Sequence, residues 1–225
     1  MELEKYKYYL KNSTNDIIEL DVNDKVFYPT ATSLFLIDAA KKNIYTSGNL
    51  LDLGCGIGIV GIALYKNGLV KKLFASDISE NATKLTIKNA SLLNIPIDVL
   101  CGDKLSVWGS NKFDYIINDV SGVSDKIAKY SLWFKNVPND SGEKGARNTI
   151  NILSNAKRYL NKNGKLFFPV ISLSDVDYIL DCANSEYKNV NFLSKNEWFL
   201  PAELTSKKEL LEDLKSKKLI NYSYK

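Results

Sequence analysis

A doubly wound α/β fold, with a mostly parallel sheet and helices on both of its faces, is what the order of apolar runs predicts. Three observations carry this. Apolar runs of strand length alternate with amphipathic stretches of helical length. One run, LLDL, passes directly into the glycine-rich turn GCGIG, and a helical pattern follows. Successive strand-like runs end in acids, at Asp77, Asp103 and Asp119. In an open α/β sheet those ends share one edge, the edge at which ligands bind.

The elements follow in order. Residues 1–45 form a helical or extended lead-in, within which ATSLFLIDAAKKN reads as a helix. LLDL is a strand, and GIVGIALYKNG a helix closed by Gly68. KKLFASD is a strand. SENATKLTIKNASLLN is a helix with Ser79 as its N-cap. IDVLCGD and KFDYIIND are strands. GARNTINILSNAKRYLNKNG reads as one long helix ending at Gly164, and GKLFFPVIS as the strand after it. SDVDYILDCANSE is a helix beginning near Ser174, VNFLSKNEWFL a strand, KELLEDLKSKK a helix and LINYSYK a last strand. That makes seven strands in a single domain spanning residues 1–225. The stretch from 119 to 142 is too long for a plain βα connection, and loops of that length usually carry function or lack order. Tyr130, Trp133 and Phe134 within it suit either a lid or a small satellite core.

Composition narrows the chemistry. The chain has 225 residues, 45% of them hydrophobic and 25% charged, which is enough for one α/β domain with a substantial core. The formal charge of +4 comes mainly from lysines interspersed with acids, so a solvated surface explains it better than a nucleic-acid face. The first residues show no apolar signal segment, and no run is long enough to span a membrane. Three cysteines, Cys55, Cys101 and Cys182, form neither a disulfide framework nor a metal spacing, so a cytoplasmic protein without a metal is expected. Histidine is absent, which removes imidazole bases and His-ligated metals.

LDLGCGIGIVG, residues 51–61, is the strongest chemical signal. Gly54, Gly56 and Gly58 recur at alternate positions between a strand and a helix. Such a turn lets backbone approach a ligand, and the helix start points free N–H groups at it. Residues 56–61 also satisfy the dinucleotide pattern GxGxxG, so a pyridine-nucleotide enzyme is one reading. Asp52 opposes it: an acid beside the turn disfavours a pyrophosphate and favours a ligand with a cationic end. A glycine turn without any ligand is a third reading.

The succession DLGCGIG, Ser76-Asp77, Gly102-Asp103 and a strand ending in Asp119 resembles the class I S-adenosylmethionine-dependent methyltransferases. More narrowly it is similar to their small-domain group, which includes protein-glutamine and ribosomal RNA guanine N2 methyltransferases. VFYPTATSLFLIDA and GEKGARNTINILSNAKRYLNKNGKLFFPV extend the likeness from about Val26 to about Ser172. The resemblance implies a seven-stranded Rossmann-like sheet and S-adenosyl-L-methionine as cofactor. It implies that Gly54, Cys55, Gly56 and Gly58 hold the methionine part, with Asp52, Thr32 and Ser33 near its amino-acid end. Asp77 would bind the ribose hydroxyls and Ile78 pack on adenine, while Asp103, beside Gly102, accepts from the adenine amino group. Cys55 serves as a small packed residue rather than a nucleophile.

DYIINDVSG departs from the group. There the strand ends in Asn or Asp, then two prolines and an aromatic that stacks on a planar NH2 group. Asp119 keeps the acceptor, but Val120-Ser121 replace the prolines and Gly122 the ring. A flexible turn is therefore expected, and the methyl acceptor stays open among a protein, a small molecule and RNA. Asp119 is the candidate to orient or deprotonate it and also to adjoin the cofactor, with Asn118 as an orienting amide; a plain turn cap is the bland alternative for Asp119. A non-catalytic descendant that binds cofactor or a partner protein is the remaining reading.

Overall fold

The computed structural model describes residues 5–10, 17–137 and 139–223. Its chain divides into two compact units. One comprises residues 1–119 and 156–168, the other residues 120–155 and 169–225.

The first unit holds a five-stranded parallel sheet in the order β5-β4-β3-β6-β7. The strands are β3 (Gly48–Leu53), β4 (Val70–Asp77), β5 (Ile97–Cys101), β6 (Phe113–Asn118) and β7 (Leu160–Phe167). The chain starts in the middle, winds outward to β5, then returns to lay β6 on the other side of β3. Strand order therefore reverses between β3 and β6, the switch point of a doubly wound sheet. Leu50, Leu73, Tyr115, Ile117 and Phe167 pack in one core with α1 (Ala31–Asn43), α2 (Ile59–Lys66) and α3 (Glu80–Leu92). The opposite side carries a ring cluster. Phe74, Trp108 and Phe113 meet edge to face, and the Trp108 indole donates to Ser76 at 3.1 Å.

The lead-in is a helix preceded by a hairpin. β1 (Lys5–Tyr9) pairs antiparallel with β2 (Ile17–Asp21), a sheet of its own. The alternation buries Tyr6, Tyr8, Ile18 and Leu20 in the main core and leaves the lysines outside. Asn89 of α3 clasps the hairpin's end. Its amide accepts from the Asp21 N–H at 2.8 Å and donates to the Asp21 carbonyl at 3.1 Å.

Two sequence expectations are corrected here. The long helix to Gly164 stops at Ala156 as α5 (Arg147–Ala156), and β7 begins at Leu160. Backbone pairing with β6 outweighs the helical propensity of KRYLNKNG. Gly164 is a strand glycine at a register shift, where a Cβ would lie 2.9 Å from the Phe113 carbonyl oxygen. The strands expected at 190–200 and 219–225 are not formed among the described residues. The first is irregular and exposes Phe192 and Phe199, with no neighbouring strand to pair its backbone. The last two residues of the second lie outside the described residues. The seven described strands are thus five in the parallel sheet and two in the hairpin.

The second unit contains α4 (Asp125–Ala128), most of α5, α6 (Val176–Glu186), α7 (Ala202–Thr205) and α8 (Lys208–Ser216). Its own core joins Val123, Ile127, Leu173, Leu204, Leu211, Leu214 and Ile220. Trp133 and Phe134 pack against that core, which decides between the two roles expected for them: they are satellite core. Tyr130 stays exposed, with the Lys207 ammonium 4.9 Å from its ring centroid.

Candidate active site at the carboxyl edge of the sheet

Register brings the strand ends together. Leu53 stands beside Ser76 on one flank and Asn118 on the other, and Asp77 beside Cys101. The turn after β3, Asp77 after β4, Gly102 after β5 and Asp119 after β6 therefore share one edge.

The turn is fixed by its neighbours. The Gly54 and Cys55 N–H groups both donate to the Ser76 carbonyl, at 2.8 and 3.1 Å. Gly54, Gly56 and Gly58 all have positive φ, at 78°, 54° and 87°, a conformation that side chains resist. Thr86 of α3 donates to the Gly56 carbonyl at 2.9 Å, and Asn89 to the Ile57 carbonyl at 2.9 Å. Sequence reading did not single out Thr86 or Asn89. Two buried polar residues on the inward face of α3 were the available signal, since buried polar groups need partners. Cys55 is buried, and burial pushes its thiol pKa well up, so it is a packed residue and no nucleophile.

Asp52 is placed differently from a residue open to the turn. It is 1% exposed, and its Oδ2 accepts from the Gly61 N–H at 2.8 Å, capping the first turn of α2 from the strand before it. Gly61 permits this, because a Cβ there would lie 2.8 Å from Leu73 Cδ1 and 3.0 Å from Asp52 Oδ2. Asp52 Oδ1 is buried without a hydrogen-bond partner. Asp77 turns toward the glycine turn. Its oxygens accept from the Gly56 N–H at 3.0 Å and the Ser79 N–H at 2.9 Å. Asp119 is half-buried, its N–H donates to the Leu53 carbonyl at 3.0 Å, and its Oδ2 accepts from the Ser33 hydroxyl at 2.6 Å. Asn118, beside it, is buried.

Other expected residues lie nearby in a looser setting. Thr32 contributes its N–H to the N-cap hydroxyl of Thr30 at 3.3 Å, while Ile78 is exposed. Asp103 is exposed and paired with Lys104 at 2.6 Å. Gly102 is required by close packing, since a Cβ would fall 2.1 Å from Val107 Cγ1.

Electrostatics single out three of these acids. Burial raises the pKa of Asp52 to about 7, with Asp119 and Asp77 adding repulsion and the Gly61 N–H opposing. Burial likewise raises Asp119 to about 7 against the Ser33 hydrogen bond, and raises Asp77 against its backbone donors. Among the described residues, no lysine or arginine is among the groups that shift these three.

A folded-state pKa above the unfolded value means that the folded chain holds the proton more tightly. The stability contributed by Asp52 and Asp119 is therefore complete below about pH 4 and is lost as pH rises to about 7. Asp52→Asn keeps an acceptor for the Gly61 N–H and removes the titration. Between pH 5 and 8, in the absence of ligand, its melting temperature is expected to fall less than that of wild type.

The turn after Asp119 corrects the expectation of flexibility. The Ser121 hydroxyl donates to Asn139, and the Ser121 carbonyl accepts from the Ser141 hydroxyl at 2.8 Å and the Asn148 amide at 3.4 Å. Side-chain hydrogen bonds hold this turn in place of the two prolines that the resemblance implies. The stacking ring has no counterpart at Gly122.

The fold is the Rossmann-like fold of the methyltransferases. Solved structures share it, including the T. thermophilus 16S rRNA N2 G1207 methyltransferase in complex with AdoMet and guanosine (TM-score 0.65, 14% identity, 88% of this chain and 49% of that one). A ribosomal protein L11 methylase from Lactobacillus delbrueckii subsp. bulgaricus also matches (TM-score 0.53, 21% identity, 69% of this chain and 68% of that one). Residues 29–120 match the family model of the methyltransferase small domain. A release factor glutamine methyltransferase of Thermodesulfovibrio yellowstonii is 29% identical over 163 residues, covering 68% of this chain and 58% of that protein. A ribosomal protein L11 methyltransferase of Caldicellulosiruptor saccharolyticus is 31% identical over 134 residues, covering 58% of this chain and 43% of that protein. The chain thus spans about half the length of the curated relatives it matches. Among the described residues no helix is long and apolar enough to cross a membrane, and no group of three metal-binding side chains occurs.

Proposed function

We propose that the protein is an S-adenosylmethionine-dependent methyltransferase acting on a protein, a small molecule or RNA. The observation that carries this is the placing of Asp77 and Asp119 at the edge of the glycine turn, with Asp52 buried beside it and, among the described residues, no lysine or arginine among the groups that shift the three. Such an edge repels a pyrophosphate and attracts a ligand bearing positive charge. S-adenosylmethionine carries an ammonium and a sulfonium and has no phosphate. The residues fit it in a second respect: Asp52 Oδ1, buried next to the turn, has no hydrogen-bond partner within the chain.

When bound, the cofactor supplies an electrophilic methyl group; the chain supplies position. The glycine turn, held by Thr86 and Asn89, would cradle the methionine part, and Asp77 would accept from the ribose hydroxyls while keeping its backbone donors. Asp119 would take the proton of an acceptor group that carries one, a role for which a pKa of about 7 is well matched at neutral pH. The carboxylate accepts from Ser33, 86 positions away, rather than from the turn that follows, which argues against a plain turn cap. The likeness to methyltransferases acting on release factors, on a ribosomal protein and on ribosomal RNA supports the class without selecting the acceptor.

Thermal unfolding with saturating ligand tests the reading. S-adenosylmethionine and its demethylated product should each raise the melting temperature, since a ligand at about 100 times its Kd adds about 2.7 kcal/mol. NAD should leave it unchanged. A shift with NAD alone would favour the dinucleotide reading of the turn, and no shift with any of the three would remove the cofactor site.

A further inference from the structure

We propose that Ser33 is a positioning residue of the transfer reaction: its hydroxyl holds Asp119 Oδ2, so that Oδ1 is presented to the methyl acceptor. This deepens the function proposed above and rests on it. The sequence resemblance put Ser33 near the cofactor's amino-acid end; the geometry adds a bond to Asp119.

Ser33 is 3% exposed and sits in the first turn of α1, where Thr30 forms the N-cap. Its hydroxyl has one proton to donate, and that proton goes to Asp119 at 2.6 Å, the short length of a charge-assisted bond. Asp119 is thereby tied at two points, its backbone to Leu53 of β3 and its carboxylate to α1. Two anchors on separate elements leave the carboxylate little freedom to rotate. The first turn of a helix is also its electropositive end, which favours the ionised acid. The charge of Asp119 in turn raises the pKa of Asp52 on β3, which Asp77 at the end of β4 also raises. In this setting Ser33 is the element that favours the proton-accepting form, in a chain without histidine.

In the step itself, the acceptor atom forms a bond to the methyl carbon while the carbon–sulfur bond breaks. The electron pair of that bond stays on sulfur, and a proton carried by the acceptor passes to Asp119 Oδ1. Removing the Ser33 hydroxyl takes away a stabilising donor from the carboxylate. The acid should then titrate at higher pH, by about one unit for a charge-assisted hydrogen bond.

The test needs no identified acceptor. Protein labelled with 13C at aspartate carboxyl carbons is titrated by NMR in the presence of the demethylated cofactor, as wild type, Ser33→Ala and Ser33→Thr. Asp119→Asn assigns the resonance. The expected result is an upward shift of about one unit for Asp119 in Ser33→Ala, with Ser33→Thr close to wild type. A loss of packing alone would leave the titration unmoved, and an unmoved midpoint in Ser33→Ala overturns the proposal. Failure of the methyltransferase reading has a separate signature: wild type would give no calorimetric heat with S-adenosylmethionine. That outcome removes the reaction, and the positioning role with it, even if the titration shifts.

Discussion

Asp77→Ala is expected to weaken S-adenosylmethionine binding by about tenfold to a hundredfold, measured by calorimetry at pH 7.5. Two ribose hydroxyls lose a charged acceptor, and hydrogen bonds to charged groups contribute about 1.5–3 kcal/mol. The structure adds a second consequence. Asp77 also accepts from the Gly56 and Ser79 N–H groups, so its removal loosens the glycine turn and the start of α3. Asp77→Asn separates the two effects, since its amide oxygen still accepts a backbone N–H while the charge is gone. It should retain more of the wild-type unfolding free energy than Asp77→Ala and bind cofactor between the two. Unaltered affinity in Asp77→Ala would contradict the placement of the ribose.

Asp119→Asn carries the other large effect. The amide preserves shape and one acceptor but cannot take a proton at neutral pH. If charge is used in the transition state, kcat falls on the order of a hundredfold, while cofactor affinity stays near wild type. Single-turnover transfer of a labelled methyl group, with calorimetry alongside, makes the comparison. Equal rates would remove Asp119 from the chemistry and leave positioning as the whole catalytic account.

The sheet's winding and the edge where its strand ends gather were legible in the sequence because they rest on local signals. The alternation of LLDL, KKLFASD and KFDYIIND with helical stretches specifies parallel strands, and a glycine turn between a strand and a helix has few alternatives. Ser79 as an N-cap is equally local: its hydroxyl accepts from the Ala82 N–H. What was missed depends on partners far along the chain. KRYLNKNG gives up a helix for pairing with β6, a choice made by residues some fifty positions away. The inward polar residues Thr86 and Asn89 look unremarkable until the turn they clamp is placed against them. Ser33 could be singled out by its position after Pro29, but its bond to Asp119 spans 86 positions, and no spacing rule reports it. The absence of prolines after Asp119 read as loss of rigidity, because the replacements, Asn139, Ser141 and Asn148, lie up to 27 residues downstream of Ser121.

The central claim is that this carboxyl edge transfers a methyl group. The most direct measurement follows a tritiated methyl group from S-adenosylmethionine into the macromolecular and small-molecule fractions of a cell extract. Protease, nuclease and mock digestion then locate the label. Wild type is predicted to label one class of acceptor, with incorporation falling at least tenfold in Asp77→Ala at subsaturating cofactor and on the order of a hundredfold in Asp119→Asn. Calorimetric binding of S-adenosylmethionine without label in any macromolecular or small-molecule fraction would contradict the claim and identify the chain as a cofactor-binding protein without transfer activity.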